Sequence, residues 1–135
     1  MGQRNVSNGD TGATVAASSS PHVVREPWSD PADVDPEEAF VAALASCHML
    51  WFLDFAAQVG HVVDRYLDEA QGFMERGERG REWGHHCELR PEVQFSGPSP
   101  IFEALQSLHH QVPEDCYLAN LVKSMVVVKL RTDGH

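Results

Sequence analysis

The stretch from Asp35 to Gly60 constrains this chain more than any other, because it spells a helix with both ends marked. Asp35 can cap, Pro36 suits a first helical turn, and Glu38, three residues after the cap, completes a capping-box pattern. Gly60 supplies the stop. A helix to Val59 would be about 35 Å long at ~1.5 Å per residue, enough to cross a whole small domain. Phe40 to Val59 is apolar enough to raise a membrane span, yet it carries His48, Asp54 and Gln58, and ionisable groups are expensive in hydrocarbon. The expectation is a core helix buried on nearly all sides by protein, with no membrane partner.

Around this helix the pattern is mixed, so the fold class read from the sequence is α+β. Residues 1–14 are polar, glycine-rich and without periodicity, and are expected to form a flexible tail. Residues 15–135 are expected to form a single domain. Val15 to Asp35 is rich in Ser, Pro and Asp, with Pro21, Pro27 and Pro31 as breakers, and suggests one short strand followed by an ordered loop. Val62 to Met74 suggests a strand, and Arg76 to Arg81 a glycine-containing turn. From Trp83 onwards Trp83, Cys87, Leu89, Val93 and Phe95 share one parity, the period of a half-buried strand, so the two strands should form a hairpin. Pro98 and Pro100 introduce a second helix with Ile101, Leu105 and Leu108 at helical spacing, expected to end before Pro113. Cys116 to Leu121 suggests a short helical turn and Met125 to Leu130 a closing strand.

Twenty acidic against ten basic residues give a formal net charge of -10. That argues against nucleic acid as a partner, since phosphate affinity comes from Lys and Arg. A domain of this size buries only roughly two-thirds of its unfolded surface, so a partner subunit is expected to complete a large apolar face in a homo-oligomer. Three cysteines without regular spacing, and no basic-plus-apolar export segment, point away from a secreted disulfide framework and towards a reducing cytoplasm.

Two of those cysteines lie in unlike settings, Cys47 inside the apolar helix and Cys116 in a polar segment before the closing strand. Such a pair suggests peroxidatic and resolving thiols, because a thiolate oxidised by a peroxide needs a neighbour to capture the sulfenic acid. Cys87, on the inward parity of its strand, is most simply a packing residue. His85, His86 and Cys87 beside His109 and His110 invite a metal, but adjacent strand residues point to opposite faces, so no metal site is assigned. His48 fits a core histidine better than a general base, and Arg76, Arg79 and Arg81 a solvated turn.

Asp35-Pro36-Glu37-Glu38-Ala39-Phe40 running into Ala43-Leu44-Ala45-Ser46-Cys47-His48-Met49, followed by Cys116-Tyr117-Leu118-Ala119-Asn120-Leu121-Val122-Lys123, resembles the OsmC/Ohr family of hydroperoxide-reducing proteins. Val15 to Pro21 also looks like that family's lead-in to the helix, and the likeness covers roughly residues 14–131. It implies long central helices flanked by curved antiparallel sheets in an intertwined homodimer with its sites at the subunit interface. The implied activity is cofactor-free reduction of organic hydroperoxides to alcohols. Cys47 would be the peroxidatic thiol and Cys116 the resolving thiol, with Glu37 orienting a cation. A dithiol, either a lipoyl group or a small thiol, would be the reductant. Family members begin with strands ahead of the serine-rich lead-in. Here about fifteen unpatterned residues stand in that place, so the first sheet is expected to be incomplete and Arg25 becomes the candidate cation.

The chemistry needs such a cation. A free Cys has a pKa of about 8.5 and attacks peroxide as the thiolate. Cys47 lies too far along its helix for the helix dipole to help. Glu37 would be about 15 Å away along the axis, so it must act through an arginine or at a site shared between subunits. Phe40, Met49, Leu50, Trp51 and Phe52 would line an apolar pocket favouring alkyl or aromatic hydroperoxides. The alternative is an inactive OsmC-like protein acting as a binding or structural dimer.

Overall fold

The structure is a computed structural model that describes residues 14–76, 83–121 and 125–131. The chain divides into an N-terminal unit ending at Phe40 and a larger unit from Val41 onwards.

In the N-terminal unit the expected short strand is reduced to one parallel bridge, Ala17 to Val34. The Val34 N–H donates to the Ala16 carbonyl (3.1 Å), and the Ser18 N–H donates to the Val34 carbonyl (3.0 Å). The buried Ser18 hydroxyl accepts from the Asp30 N–H at 2.8 Å, so a side chain replaces further ladder bonds in this proline-interrupted segment. The sequence turn over 76–81 lies outside the described residues except at Arg76, as does the tail before Thr14.

Helix α1 spans Pro36–Gln58. Its start is the reciprocal box expected from the sequence. The Glu38 N–H donates to Asp35 Oδ1 (2.8 Å) and the Asp35 N–H donates to Glu38 Oε2 (3.1 Å), satisfying two backbone donors at once. At the other end Gly60 takes φ of 86°, with its N–H on the Ala57 carbonyl and the His61 N–H on the Ala56 carbonyl. This is a Schellman closure, which favours glycine at the left-handed position. The helix does not meet the expectation of burial on nearly all sides. Its buried residues are Leu44, His48, Phe52 and Ala56, one stripe at four-residue spacing, while Leu50 is 62% exposed. By length and composition alone α1 could cross a membrane.

The single strand expected from Val62 to Met74 is two, β1 (Val62–Asp68) and β2 (Gln71–Arg76). The opposing run is likewise β3 (Trp83–Leu89) and β4 (Pro91–Ser96). β1 pairs with β4, and β2 with β3, all antiparallel. Asp68 faces Pro91 and Gln71 faces Glu88, so neither arm gains a residue across the break. The expected hairpin is therefore present as one ribbon divided between two sheets. At the break the Arg90 N–H donates to Asp68 Oδ1 (2.7 Å) in place of a strand partner. Alternation could not reveal this division, because the parity of Cys87, Leu89 and Val93 runs straight through it.

Helix α2 spans Phe102–Asp115 and contains Pro113, which was expected to lie beyond its end. Proline removes the bond to the carbonyl four residues back and usually breaks a helix. Here the last turn is held by the Cys116 N–H on the Val112 carbonyl (2.8 Å). The Asn120 amide also donates to the carbonyls of Pro113 and Glu114, both at 3.2 Å. Helix α3 (Tyr117–Leu121) follows, then β5 (Met125–Val128). β5 joins β3 in parallel, a departure from all-antiparallel sheets that the helical crossover from β4 makes possible. The core lies where Phe52 and Ala56 of α1 meet Leu108 and Val112 of α2 and Cys116, with Val63, Tyr66, Val93 and Phe95 of the ribbon packed against them.

Candidate thiol site

Cys47 and Cys116 belong to this same core. Cys47 lies beside the buried stripe of α1 and is half-buried, while Cys116 caps α2 and is 2% exposed. Both are thiols, and Cys47 packs against the core cluster that contains Cys116, close enough for the two to affect each other's ionisation. Burial pushes the Cys116 thiol above its ordinary pKa, and the neighbouring Cys47 thiol pushes the same way. The N–H groups of Ala119 and Leu118 pull it back in part. The proton is thus held on Cys116. Asn120 also donates to the Cys116 carbonyl at 2.9 Å, fixing the backbone beside the thiol.

Next to Cys47, His48 Nε2 lies 2.9 Å from His109 Nδ1, within a hydrogen bond. The two rings are almost parallel, 7° apart, and His109 stacks on Phe52 with centroids 4.2 Å apart. Burial holds both imidazoles neutral, lowering His48 to about 4 and His109, which also feels His48 and His110, to about 3. One ring must then donate and the other accept. His109 Nε2 is left buried without a partner, a cost of ~1–3 kcal/mol.

Arg25 is exposed in the N-terminal unit, where its carbonyl accepts from the Trp28 N–H, and Glu37 occupies the first turn of α1 in the same unit. In the larger unit Glu88 gathers Lys129 (2.7 Å), Arg90 (3.0 Å) and His86 (3.6 Å). Hydrogen bonds first from Lys129 and then from Arg90 lower its pKa to about 2. Cys87 is fully buried on β3, and burial raises its thiol pKa. Among the described residues no three His, Cys, Asp or Glu side chains are grouped to hold a metal. A cavity of about 400 Å³ lies between α2 and β5, lined by Phe102, Gln106, His109, Pro113 and Val126 among others. None of Phe40, Met49, Leu50, Trp51 and Phe52, the residues expected to form an apolar pocket, lines it.

The family model for OsmC-like proteins matches residues 29–131, which include both thiols. The chain belongs to the OsmC family. Its fold is shared with an OsmC-like protein of unknown function from Vibrio cholerae, 46% identical, covering 90% of this chain and 80% of that one with a TM-score of 0.83. The organic hydroperoxide resistance protein OhrB of Bacillus subtilis is 16% identical, with 97% and 98% coverage and a TM-score of 0.71. A third, an organic hydroperoxide resistance protein from Elizabethkingia anophelis, is 16% identical with 90% and 83% coverage and a TM-score of 0.68. At these lower identities the likeness is one of fold. None of the curated proteins matches the chain. Within this OsmC member, sequence reasoning missed the partnership of His109 and the bracing by Asn120. The spacing Leu105, Leu108, His109, Val112, Cys116 carries the signal for the first, since it puts His109 on the apolar stripe of α2.

Proposed function

We propose that this OsmC protein is a thiol peroxidase that reduces organic hydroperoxides to alcohols. The Cys47 thiolate attacks the terminal peroxide oxygen and the O–O bond breaks. The released alkoxide takes a proton and leaves as the alcohol, with Cys47 as the sulfenic acid. Cys116 then attacks Cys47 Sγ, the S–S bond forms and the sulfenic oxygen departs as water. A dithiol, either a lipoyl group or a small thiol, takes the disulfide back to two thiols by exchange. The observation that supports this reading is that Cys47 packs against the core cluster holding Cys116, with the two thiols near enough to affect each other's ionisation. A resolving thiol must reach the sulfenic acid before a second peroxide does, and a neighbour in the same core cluster is placed to meet that need.

Glu37 and Arg25 enter the proposal as a carboxylate and a cation serving the thiolate, in a homodimer working in the cytoplasm. The half-buried and exposed apolar residues flanking the buried stripe of α1 supply the surface that a second copy would cover.

Steady-state turnover with dihydrolipoamide tests the assignment. Cumene hydroperoxide should be reduced with a kcat/KM at least about tenfold above that for hydrogen peroxide, since an apolar pocket gains from burying a hydrocarbon. Equal turnover of the two would remove the substrate class. No turnover of either, with Cys47 unreactive, would favour the inactive binding or structural dimer.

A further inference from the structure

The site holds a polar pair that the peroxide chemistry does not use. His48 and His109 are 3% and 2% exposed and hydrogen-bonded across the α1–α2 interface. Among the described residues neither has a charged partner, and His109 Nε2 has no hydrogen-bond partner. A core selected for stability alone would fill this space with leucine or phenylalanine, because apolar replacement of both members of a buried polar pair is near neutral or stabilising. What such a pair provides instead is one defined arrangement. Apolar surfaces tolerate small slides, whereas a nitrogen-to-nitrogen hydrogen bond weakens over a fraction of an ångström.

The arrangement it defines includes the thiols. His48 follows Cys47 directly, so any slide of α1 that breaks the pair also moves Cys47. His109 stands seven residues before Cys116, about two helical turns. Between them lies Pro113, which has no N–H to give to the His109 carbonyl, so the end of α2 that carries Cys116 lacks one of its own backbone bonds. Ties from outside the helix backbone therefore matter more here than in an ordinary helix.

We propose that the His48–His109 hydrogen bond is a positioning device. It sets the register of α1 against α2 that keeps Cys47 beside Cys116, and so sets the equilibrium between the dithiol and its disulfide. The proposal rests on reading Cys47 and Cys116 as an oxidisable pair, but not on their reaction with peroxide.

Equilibrium with glutathione tests it on the full chain. Cys47 and Cys116 each give up a hydrogen as their S–S bond forms, and oxidised glutathione takes up both to become two thiols. The constant is read by acid trapping and mass analysis of peptides, with Tm measured alongside. Relative to the unmodified protein, His109→Leu should lower the constant for disulfide formation by about tenfold or more, the scale on which small misplacements act. His109→Gln, which can still hydrogen-bond His48, should recover most of that loss. The double variant His48→Leu with His109→Leu should keep or raise Tm and still show the lowered constant.

Leucine variants with the original constant would overturn the proposal, as would a glutamine variant that recovers nothing at an unchanged Tm. An unmodified protein that forms no Cys47–Cys116 disulfide with oxidised glutathione would overturn both this inference and the resolving role. If that disulfide forms but no hydroperoxide is turned over, the peroxidase reading alone falls, and the leucine and glutamine constants still decide the pair.

Discussion

The interface between α1 and α2 and the junction between β3 and β5 both hold clustered polar side chains, but by opposite means. At the strand junction Glu88 is surrounded by Lys129, Arg90 and His86, with opposite charges in contact and water nearby. At the helix interface Cys47, Cys116, His48 and His109 sit among Phe52, Leu108 and Val112, with no ion pair among the described residues. The first arrangement is scaffolding, since ion pairs whose cationic partners stay open to solvent contribute modestly and could be exchanged for others. The second is costly to keep, because buried polar groups gain little stability even when paired. Costly polar groups are expected where chemistry or exact positioning needs them, and here they lie beside two neighbouring thiols.

The largest effect should come from the thiols themselves. Cys47→Ser should lower hydroperoxide turnover on the order of a thousandfold, because the nucleophile is lost. Cys116→Ser should still react once and then carry Cys47 on to sulfinic acid, read by intact mass. Equal loss of the first reaction in both variants would place the chemistry elsewhere.

Next comes packing at the same interface. Phe52 is fully buried between Tyr66 and His109, and Phe52→Ala should cost ~3–5 kcal/mol in urea unfolding. A loss under about 1 kcal/mol would mean that the helix interface is not the core described here.

Acid should separate the two regions further. His48 and His109 titrate at about 4 and about 3 when folded, against 6.5 when free. As pH falls below 6.5 the unfolded chain takes up protons at these positions and the folded one does not, so stability should fall from pH 6.5 down to about 4. The slope is at most about 1.4 kcal/mol per pH unit for each histidine. Replacing both by leucine should flatten that window. Glu88 acts lower down: its folded pKa is depressed, so its contribution is present above about pH 4.5 and is lost as pH falls towards 2. Glu88→Gln should give the smallest effect of the series, a slight fall in Tm at neutral pH that shrinks further in 1 M salt. A larger fall than that of Phe52→Ala would reverse the comparison.

The sequence was most legible where local chemistry decides the outcome. The Asp35 and Glu38 box, the Gly60 stop and the short helix after Cys116 all depend on residues close to one another in the chain. What escaped was set by distant partners. The bend that divides the ribbon depends on Asp68 reaching Arg90, twenty-two positions away, and the helix survives Pro113 because Asn120 holds its last carbonyls. At the site, a cysteine in an apolar helix and another before the last strand could be singled out, and the family motifs paired them. The contact of His48 with His109, sixty-one positions apart, has no local signature beyond a histidine on an apolar stripe.

The central claim is that Cys47 and Cys116 act as one redox unit. The most direct test is a titration of the fully reduced protein with one equivalent of cumene hydroperoxide, followed by intact mass and peptide mapping. The account predicts rapid loss of two hydrogens, mapped to a Cys47–Cys116 disulfide. Slow oxidation, or Cys47 passing to sulfinic acid while Cys116 remains a free thiol, would contradict it.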